Sequence, residues 1–275
     1  MENKLALIIP TYNKPIPLLR LLESINHQTI PPHQVIISDA SRPPLLPVWG
    51  ILESQGLNIP LTIDYTWTKS PGLTRQKNQG KSKLRPEITL VGYLDDDTIL
   101  YEDAVEKMLE FWFWQGAPDA VGGAAFNIID NSVSKLSPLS KLFNRVFLIG
   151  NKPGQVEKSG DSLPLFNATE DTTVQRLSGG AAVWRRQVVD KYWFDEHIDG
   201  NGYVEDIDYS LRVRKEYRLW VVAKARVRHL QQTSSKPAGQ VNKQRRYLAK
   251  KHKEISRLCL EWSLLGRWIA GLKFY

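Results

Sequence analysis

Two hydrophobic periods alternate over the first hundred residues. "KLALIIP" (4–10) is an unbroken apolar run and predicts a buried strand. In "LLRLLESINHQ" (18–28) the apolar positions recur at helical spacing, with Leu18, Leu22 and Ile25 on one face and Leu19 beside them. Arg20, Glu23 and Asn26 then turn to water. "QVIIS" (34–38), "LTIDYTW" (61–67) and "ITLVGYL" (88–94) read as further strands. Strands that are apolar throughout and separated by helices predict an α/β fold, a mostly parallel central sheet flanked by helices.

Beyond residue 100 the pattern is more broken. "YEDAVEKMLEFWFW" (101–114) predicts an amphipathic helix, and "GLTRQKNQGKSKLR" (72–85) offers a polar helix or loop. From 130 to 166 the chain is turn-rich and weakly periodic, which predicts long loops. "LSGGAAVWRR" (177–186) reads as a strand whose paired glycines permit close backbone approach. "DYSLRVRKE" (208–216) starts a helix, and "YRLWVVAKARVRHL" (217–230) returns as one or two strands. A polar break, "QQTSSKPAGQ" (231–240), separates these from a basic C-terminal segment. The expected organisation is one domain over 1–235, its halves meeting near residue 100, followed by a basic, amphipathic, helical extension over 236–275.

In such sheets ligands bind beyond the carboxyl ends of the strands. Thr11 to Asn13, Asp39, and Asp95 to Asp97 in "YLDDDTIL" all fall at predicted strand ends and are expected to converge. Three adjacent carboxylates need compensation from water, cations or hydrogen-bond donors. Capping of the next helix explains one of them and hardly three. A divalent cation that prefers oxygen, Mg²⁺ or Mn²⁺, would compensate them and carry a nucleotide diphosphate. Glu205, Asp206 and Asp208 stand at a predicted helix start, where they serve either as caps or as a base for an alcohol. Asp206 is the preferred base. Asp39 is either a turn residue or a group that reads a base or ribose. Arg75, Lys77 and Asn78 could reach the same crevice, and His229 either completes a metal site or is structural.

Charge and composition narrow this picture. The 275 residues carry a net charge of +8, with the excess concentrated late, especially in "KQRRYLAKKHKEISR" (243–257). A positive field suits a phosphorylated ligand, nucleic acid or an anionic bilayer without choosing among them. One cysteine rules out an intramolecular disulfide framework and a cysteine zinc site, and favours a reducing compartment. The first residues, "MENKLALIIPTYN", hold too short an apolar stretch for a signal peptide or membrane span.

Taken together, "LIIPTYNKPIPLLRLLESINHQTIPPHQVIISDAS", "LDDDT", "LSGGAAVWRR" and "GYVEDIDYSLRV" resemble the family 2 glycosyltransferases over roughly residues 4 to 230. The resemblance implies the Rossmann-like GT-A fold and a donor that is a UDP, dTDP or GDP sugar. It likens Pro10, Thr11, Tyr12 and Asn13 to the nucleotide-binding turn and Asp39 to the residue that reads the base. Asp95 and Asp97 match the family's metal motif, with Asp96 between them near ribose or phosphate. Glu205 and Asp206 match the acidic pair near the acceptor, and His229 the late histidine that touches metal or pyrophosphate. Gly179 and Gly180 would lie beside the donor sugar, with Arg185 or Arg186 near them, and Arg75 and Asn78 are assigned to the nucleotide. The implied reaction is an inverting single displacement onto a hydroxyl acceptor in cell-surface polysaccharide or glycolipid synthesis, in the cytoplasm.

The chain lacks the Q-x-x-R-W run and spans of processive synthases, which favours single addition. Its extension either lies on an anionic membrane where lipid-linked acceptors reside or packs on the domain. A dehalogenase-like phosphatase also begins with aspartates after a strand, yet no later lysine and acidic pair completes it. In a nucleic-acid-binding protein the three aspartates would sit awkwardly near phosphates, and a silent carbohydrate-binding protein is the other non-enzyme alternative.

Overall fold

Complete burial marks the first two strands, β1 (Leu5–Thr11) and β2 (Gln34–Asp39), as the apolar runs require of strands covered on both faces. The computed structural model describes residues 3–45, 63–114, 120–130, 137–150, 152–198, 204–230 and 238–271. Helix α1 (Pro15–Asn26) opens with proline in its first turn and buries Leu18, Leu21, Leu22 and Ile25. Leu21 thus takes an inner position, and Leu19 packs half-buried at the edge of the core. Further along come β3 (Ile63–Trp67), α2 (Leu73–Lys81), β4 (Leu90–Leu94), β5 (Thr98–Leu100), α3 (Ala104–Trp114) and β6 (Val121–Ile128). The segment 130–166, expected as loops, also holds α4 (Pro138–Val146), and β7 (Thr172–Val174) follows it. β8 (Ala181–Arg185), α5 (Arg186–Lys191), α6 (Glu205–Val213) and the twelve-residue β9 (Arg218–His229) complete the sheet and its cover.

The strands run in the order β3-β2-β1-β4-β8-β6-β9-β5, with β7 pairing β9 outside that path. β3, β2, β1 and β4 are mutually parallel, as the first hundred residues predict. β8 then enters antiparallel between β4 and β6, and β9 runs parallel to β6. Two reversals restore direction, so β9 ends where β1, β2 and β4 end. On one face of the sheet α1 and α3 enclose a core that includes Leu22, Met108 and Trp112. On the other, Val188 of α5 and Tyr209 and Val213 of α6 pack with Ile8, Val91 and Trp184.

The C-terminal helices α7 (Ala238–Lys251) and α8 (Arg257–Ile269) pack on the outer side of α6. Leu248, Ala249 and Leu260 join Ile207 and Leu211 in a third apolar cluster. Beneath them the buried Asp161 carboxylate accepts hydrogen bonds from Arg245, Ser263 and Arg267. The expected boundary between residues 235 and 236 lies outside the described residues. Among the described residues no helix is long and apolar enough to cross a membrane.

Candidate functional site

Strand β4 ends at Leu94, and the next three residues form a tight turn into β5. The Thr98 N–H donates to Asp95 O (3.1 Å), and the Asp95 N–H to Gly180 O (3.0 Å). Because β5 pairs antiparallel with β9, Thr98 lies opposite His229, which brings that imidazole beside the aspartates. His229 Nε2 stands 3.0 Å from Asp97 Oδ1 and 3.6 Å from Asp95 Oδ2. One potential ligand atom from each of Asp95, Asp97 and His229 lies within 4.8 Å of the others. Asp96 turns inward, where it accepts from Thr11 Oγ1 (2.8 Å), and Lys14 bridges Asp96 and Asp97 at 3.1 Å each.

The electrostatics follow from that packing. Burial pushes the Asp96 carboxyl up to about 6 against the pull of Lys14 and Thr11. Burial acts the same way on Asp95 and Asp97, but hydrogen bonds and charge from His229 outweigh it and lower both. Reciprocally, burial opposes the charge on His229 and the two carboxylates overcome it, raising the imidazole to about 10. Two carboxylates and an imidazole form a donor set suited to a divalent cation. An open hollow of about 840 Å³ beside this turn is lined by Lys14, Arg20, Arg228 and His229.

Gly179 and Gly180, just before β8, separate this cluster from a second acidic group. A Cβ on Gly180 would overlap the Asp95 carboxylate, and one on Gly179 would lie 2.9 Å from Glu205 Oε1 and 3.0 Å from Lys77 Nζ. The pair therefore lets two sets of carboxylates approach the same backbone. Glu205 and Asp206 open α6, where the positive helix end favours them. Fully buried Lys77 holds Glu205 at 3.3 Å and donates to Gly179 O at 3.1 Å. Asp206 Oδ2 accepts from Arg176 and from the Gly179 N–H (3.3 Å).

The remaining expected residues divide into two groups. Pro10 and Thr11 end β1, and exposed Tyr12 stands at its mouth. Asn13 adopts a positive φ of 53° that its short polar side chain tolerates, and ties the turn to the next loop by accepting from the Arg42 N–H. Asp39 is fully buried and accepts from Ser41 N, Leu45 N and the Tyr65 hydroxyl, which hold its carboxylate in place at the end of β2.

Three expectations need correction. Arg75 pairs with Glu196, and Asn78 donates to Phe194 O and Glu196, so both face the 194–196 segment. Each residue of a helix turns about 100° from the last, and on α2 it is Lys77 that reaches the carboxylates. Arg185 pairs with Leu90, at the start of β4, because β8 runs antiparallel; its guanidinium donates to Val121 O at the far end of the sheet. Arg186 likewise contacts Arg85 O and Asp190, away from the site. Lys14 and Arg176 were missed. Lys14 lies in the quoted nucleotide-binding turn, a signal that could have found it, whereas nothing in the chain pattern links Arg176 to Asp206.

Comparison with known proteins agrees with this architecture. The family described as "Glycosyl transferase family 2" matches residues 6–193. No curated protein matches the chain. Among solved structures, S. aureus TarS superposes with a TM-score of 0.59 at 15% identity, covering 90% of this chain and 39% of TarS. The present chain therefore spans about two fifths of that protein. TarS 1–349 gives 0.57 at 14% identity over 97% of this chain and 72% of the other. TarS 1–349 in complex with UDP-GlcNAc gives 0.52 at 15% identity over 84% and 59%. At these identities the likeness is one of fold.

Proposed function

Because the chain belongs to glycosyl transferase family 2, and is thus a glycosyltransferase of GT-A fold, we propose that it moves a sugar with inversion from a nucleoside-diphosphate sugar to an acceptor hydroxyl. The observation that carries the reading is the Asp95, Asp97 and His229 triad standing across Gly179 and Gly180 from Asp206. Asp95, Asp97 and His229 would hold Mn²⁺ or Mg²⁺. When bound, such an ion supplies positive charge to the diphosphate leaving group.

The chain's own groups carry the remaining work. Asp206 takes the proton of the acceptor hydroxyl as that oxygen forms its bond to the anomeric carbon. The bond from that carbon to the diphosphate breaks on the opposite face, and its electron pair leaves with the nucleoside diphosphate. Inversion follows from the single displacement. Arg176 and the Gly179 N–H fix the Asp206 carboxylate, and Lys77 fixes Glu205 beside it. Lys14, Arg20 and Arg228 line the hollow with the positive field a diphosphate requires. Tyr12 offers an exposed ring at the end of β1 against which a base stacks. The acceptor is a hydroxyl of a cell-surface polysaccharide or glycolipid precursor.

Because TarS 1–349 forms complexes with UDP and with UDP-GlcNAc, uridine donors are the first to test. Calorimetric titration with UDP, dTDP and GDP, with and without Mn²⁺, followed by Asp97→Ala under the best condition, decides the donor site. Metal-dependent binding of one nucleotide that Asp97→Ala abolishes is the expected result. Binding indifferent to both metal and mutation sinks the assignment.

A further inference from the structure

Among the described residues, eight of the exposed large apolar side chains gather on α8 and α4. Along α8, Leu258, Trp262, Leu265 and Ile269 recur at intervals of four, three and four and form one stripe, all exposed, with Leu258 85% accessible. Trp268 flanks the stripe at 80%. The other face of the helix buries Leu260, Ser263 and Gly266 against the body of the protein. Helix α4 repeats the arrangement: Leu139, Leu142 and Val146 share an exposed face, and none of its nine residues is buried.

The two stripes meet. Trp262 stacks on Phe147 with centroids 4.9 Å apart, and its indole N–H donates to Val146 O at 2.9 Å. Gly266 leaves room for the Phe147 ring, which any Cβ there would overlap. A continuous apolar surface thus crosses two helices, and surfaces of this kind mark interaction sites.

Charge identifies what it meets. Exposed Lys141 and Arg145 flank the α4 stripe, and that helix carries no acidic residue. Residues 238–271 contain eight lysines and arginines but two acidic residues, of which Glu261 is engaged by Arg246 at 2.7 Å. Arg245, Arg267 and Lys251 pair with the buried Asp161 and Asp208, and the exposed Lys243, Lys250, Lys253 and Arg257 supply the field. Exposed Arg257 lies at the start of the α8 stripe. A second copy of the chain would bring the same positive charge to the contact and repel. An anionic lipid surface offers the opposite charge, takes leucine and isoleucine into its acyl boundary, and accommodates tryptophan at headgroup level.

We propose that α4 and α8 together dock the protein on an anionic bilayer surface. This does not rest on the proposed glycosyl transfer. The extension therefore packs on the domain through one side of α8 and presents the other to lipid.

Co-sedimentation of the full chain with phosphatidylcholine vesicles, with and without phosphatidylglycerol, tests it. Binding is expected to require phosphatidylglycerol. It should weaken about tenfold or more in Leu258→Ser/Leu265→Ser/Trp268→Ser, since each exposed side chain forfeits its burial in lipid. Lys141→Glu/Arg145→Glu should weaken it comparably. All five positions are exposed, so the variants should melt with the parent, and Asp97→Ala should bind vesicles as the parent does. Failure of the parent to bind phosphatidylglycerol vesicles overturns the proposal, as does undiminished binding by the triple variant, which would mark diffuse attraction of a basic protein. A dimer that the triple variant dissolves, without vesicle binding, assigns the surface to a second copy and overturns it too.

Discussion

Two groups of carboxylates, one at the strand ends and one under the C-terminal helices, contain the same residue type and serve opposite ends. Asp208 is completely buried and receives Arg212, Lys251 and His252, each at 2.8 Å. Asp161 receives Arg267 through its Nε and Nη2, with Arg245 and Ser263 at 3.3 Å. Rigid guanidinium forks close these carboxylates off and leave them a scaffolding role. At the strand ends, the Asp95 side chain is 37% accessible with His229 3.6 Å away, and the half-exposed Lys14 pairs with its neighbours Asp96 and Asp97. Burial alone would rank Asp208 above Asp95 as a functional group. What distinguishes them is whether the protein's own cations already saturate the carboxylate.

The largest effect should separate Asp206 from Asp208, two residues apart on one helix. Asp206→Asn is expected to lower kcat by roughly 10²- to 10⁴-fold, the usual contribution of a positioned base, with nucleotide affinity unchanged. Steady-state kinetics with matched calorimetry checks this. A variant that retains kcat moves the base elsewhere, and Glu205 becomes the next candidate.

Next in size is the cost of opening a closed cluster. Asp161→Asn leaves Arg245 and Arg267 facing each other without their shared carboxylate. Removing one partner of a buried ion pair costs about 3–5 kcal/mol. Urea unfolding should show a loss of that order, while nucleotide binding of the folded fraction stays as in the parent. A loss under about 1 kcal/mol, the range of exposed pairs, would place Asp161 among surface charges after all.

The two regions also differed in how far the sequence exposed them. Strands buried on both faces leave unbroken apolar runs, so "LALIIPT" and "QVIISD" announced themselves, and the polar residues that end them marked the crevice. Carboxylates in a row were equally visible. Their cations were not, because Lys14 and Asp96 lie 82 residues apart and Lys77 and Glu205 lie 128 apart, and contacts of that range follow from topology. The placement of Arg185 depends on topology in the same way: its strand looks like any other until β8 is known to run antiparallel. Within α4 the apolar spacing was present, but nine residues between turn-rich flanks gave too short a period to recognise as an exposed stripe.

A smaller effect tests the open cluster's geometry without removing a ligand. Gly180→Ala places a methyl group on the Asp95 carboxylate, whose side chain can swing away while the backbone stays. Metal affinity should fall about 10- to 100-fold, the range seen when the supports of a metal ligand are lost. The melting temperature should change little. Unaltered Mn²⁺ dependence in this variant would mean that Asp95 holds no metal.

The smallest effect is the pH dependence that the cluster around Asp208 contributes. Burial raises the Asp208 carboxyl, but the hydrogen bond from His252 and the charges of Arg212 and Lys251 outweigh it and hold it below 3.8. Asp195 is also held below 3.8, with burial overcome by Lys251, the His197 N–H and the Tyr247 hydroxyl. Below 3.8 the unfolded chain then binds more protons at these sites than the folded one, so stability rises with pH there. Their contribution is complete above the unfolded value and is lost as pH falls through the folded one. The melting-temperature gap between the parent and Asp208→Asn should accordingly hold steady from pH 7 to pH 5 and narrow by pH 3. A gap that stays constant to pH 3 would mean that its cations do not grip Asp208 in solution, and the distinction between closed and open carboxylates would lose its physical basis.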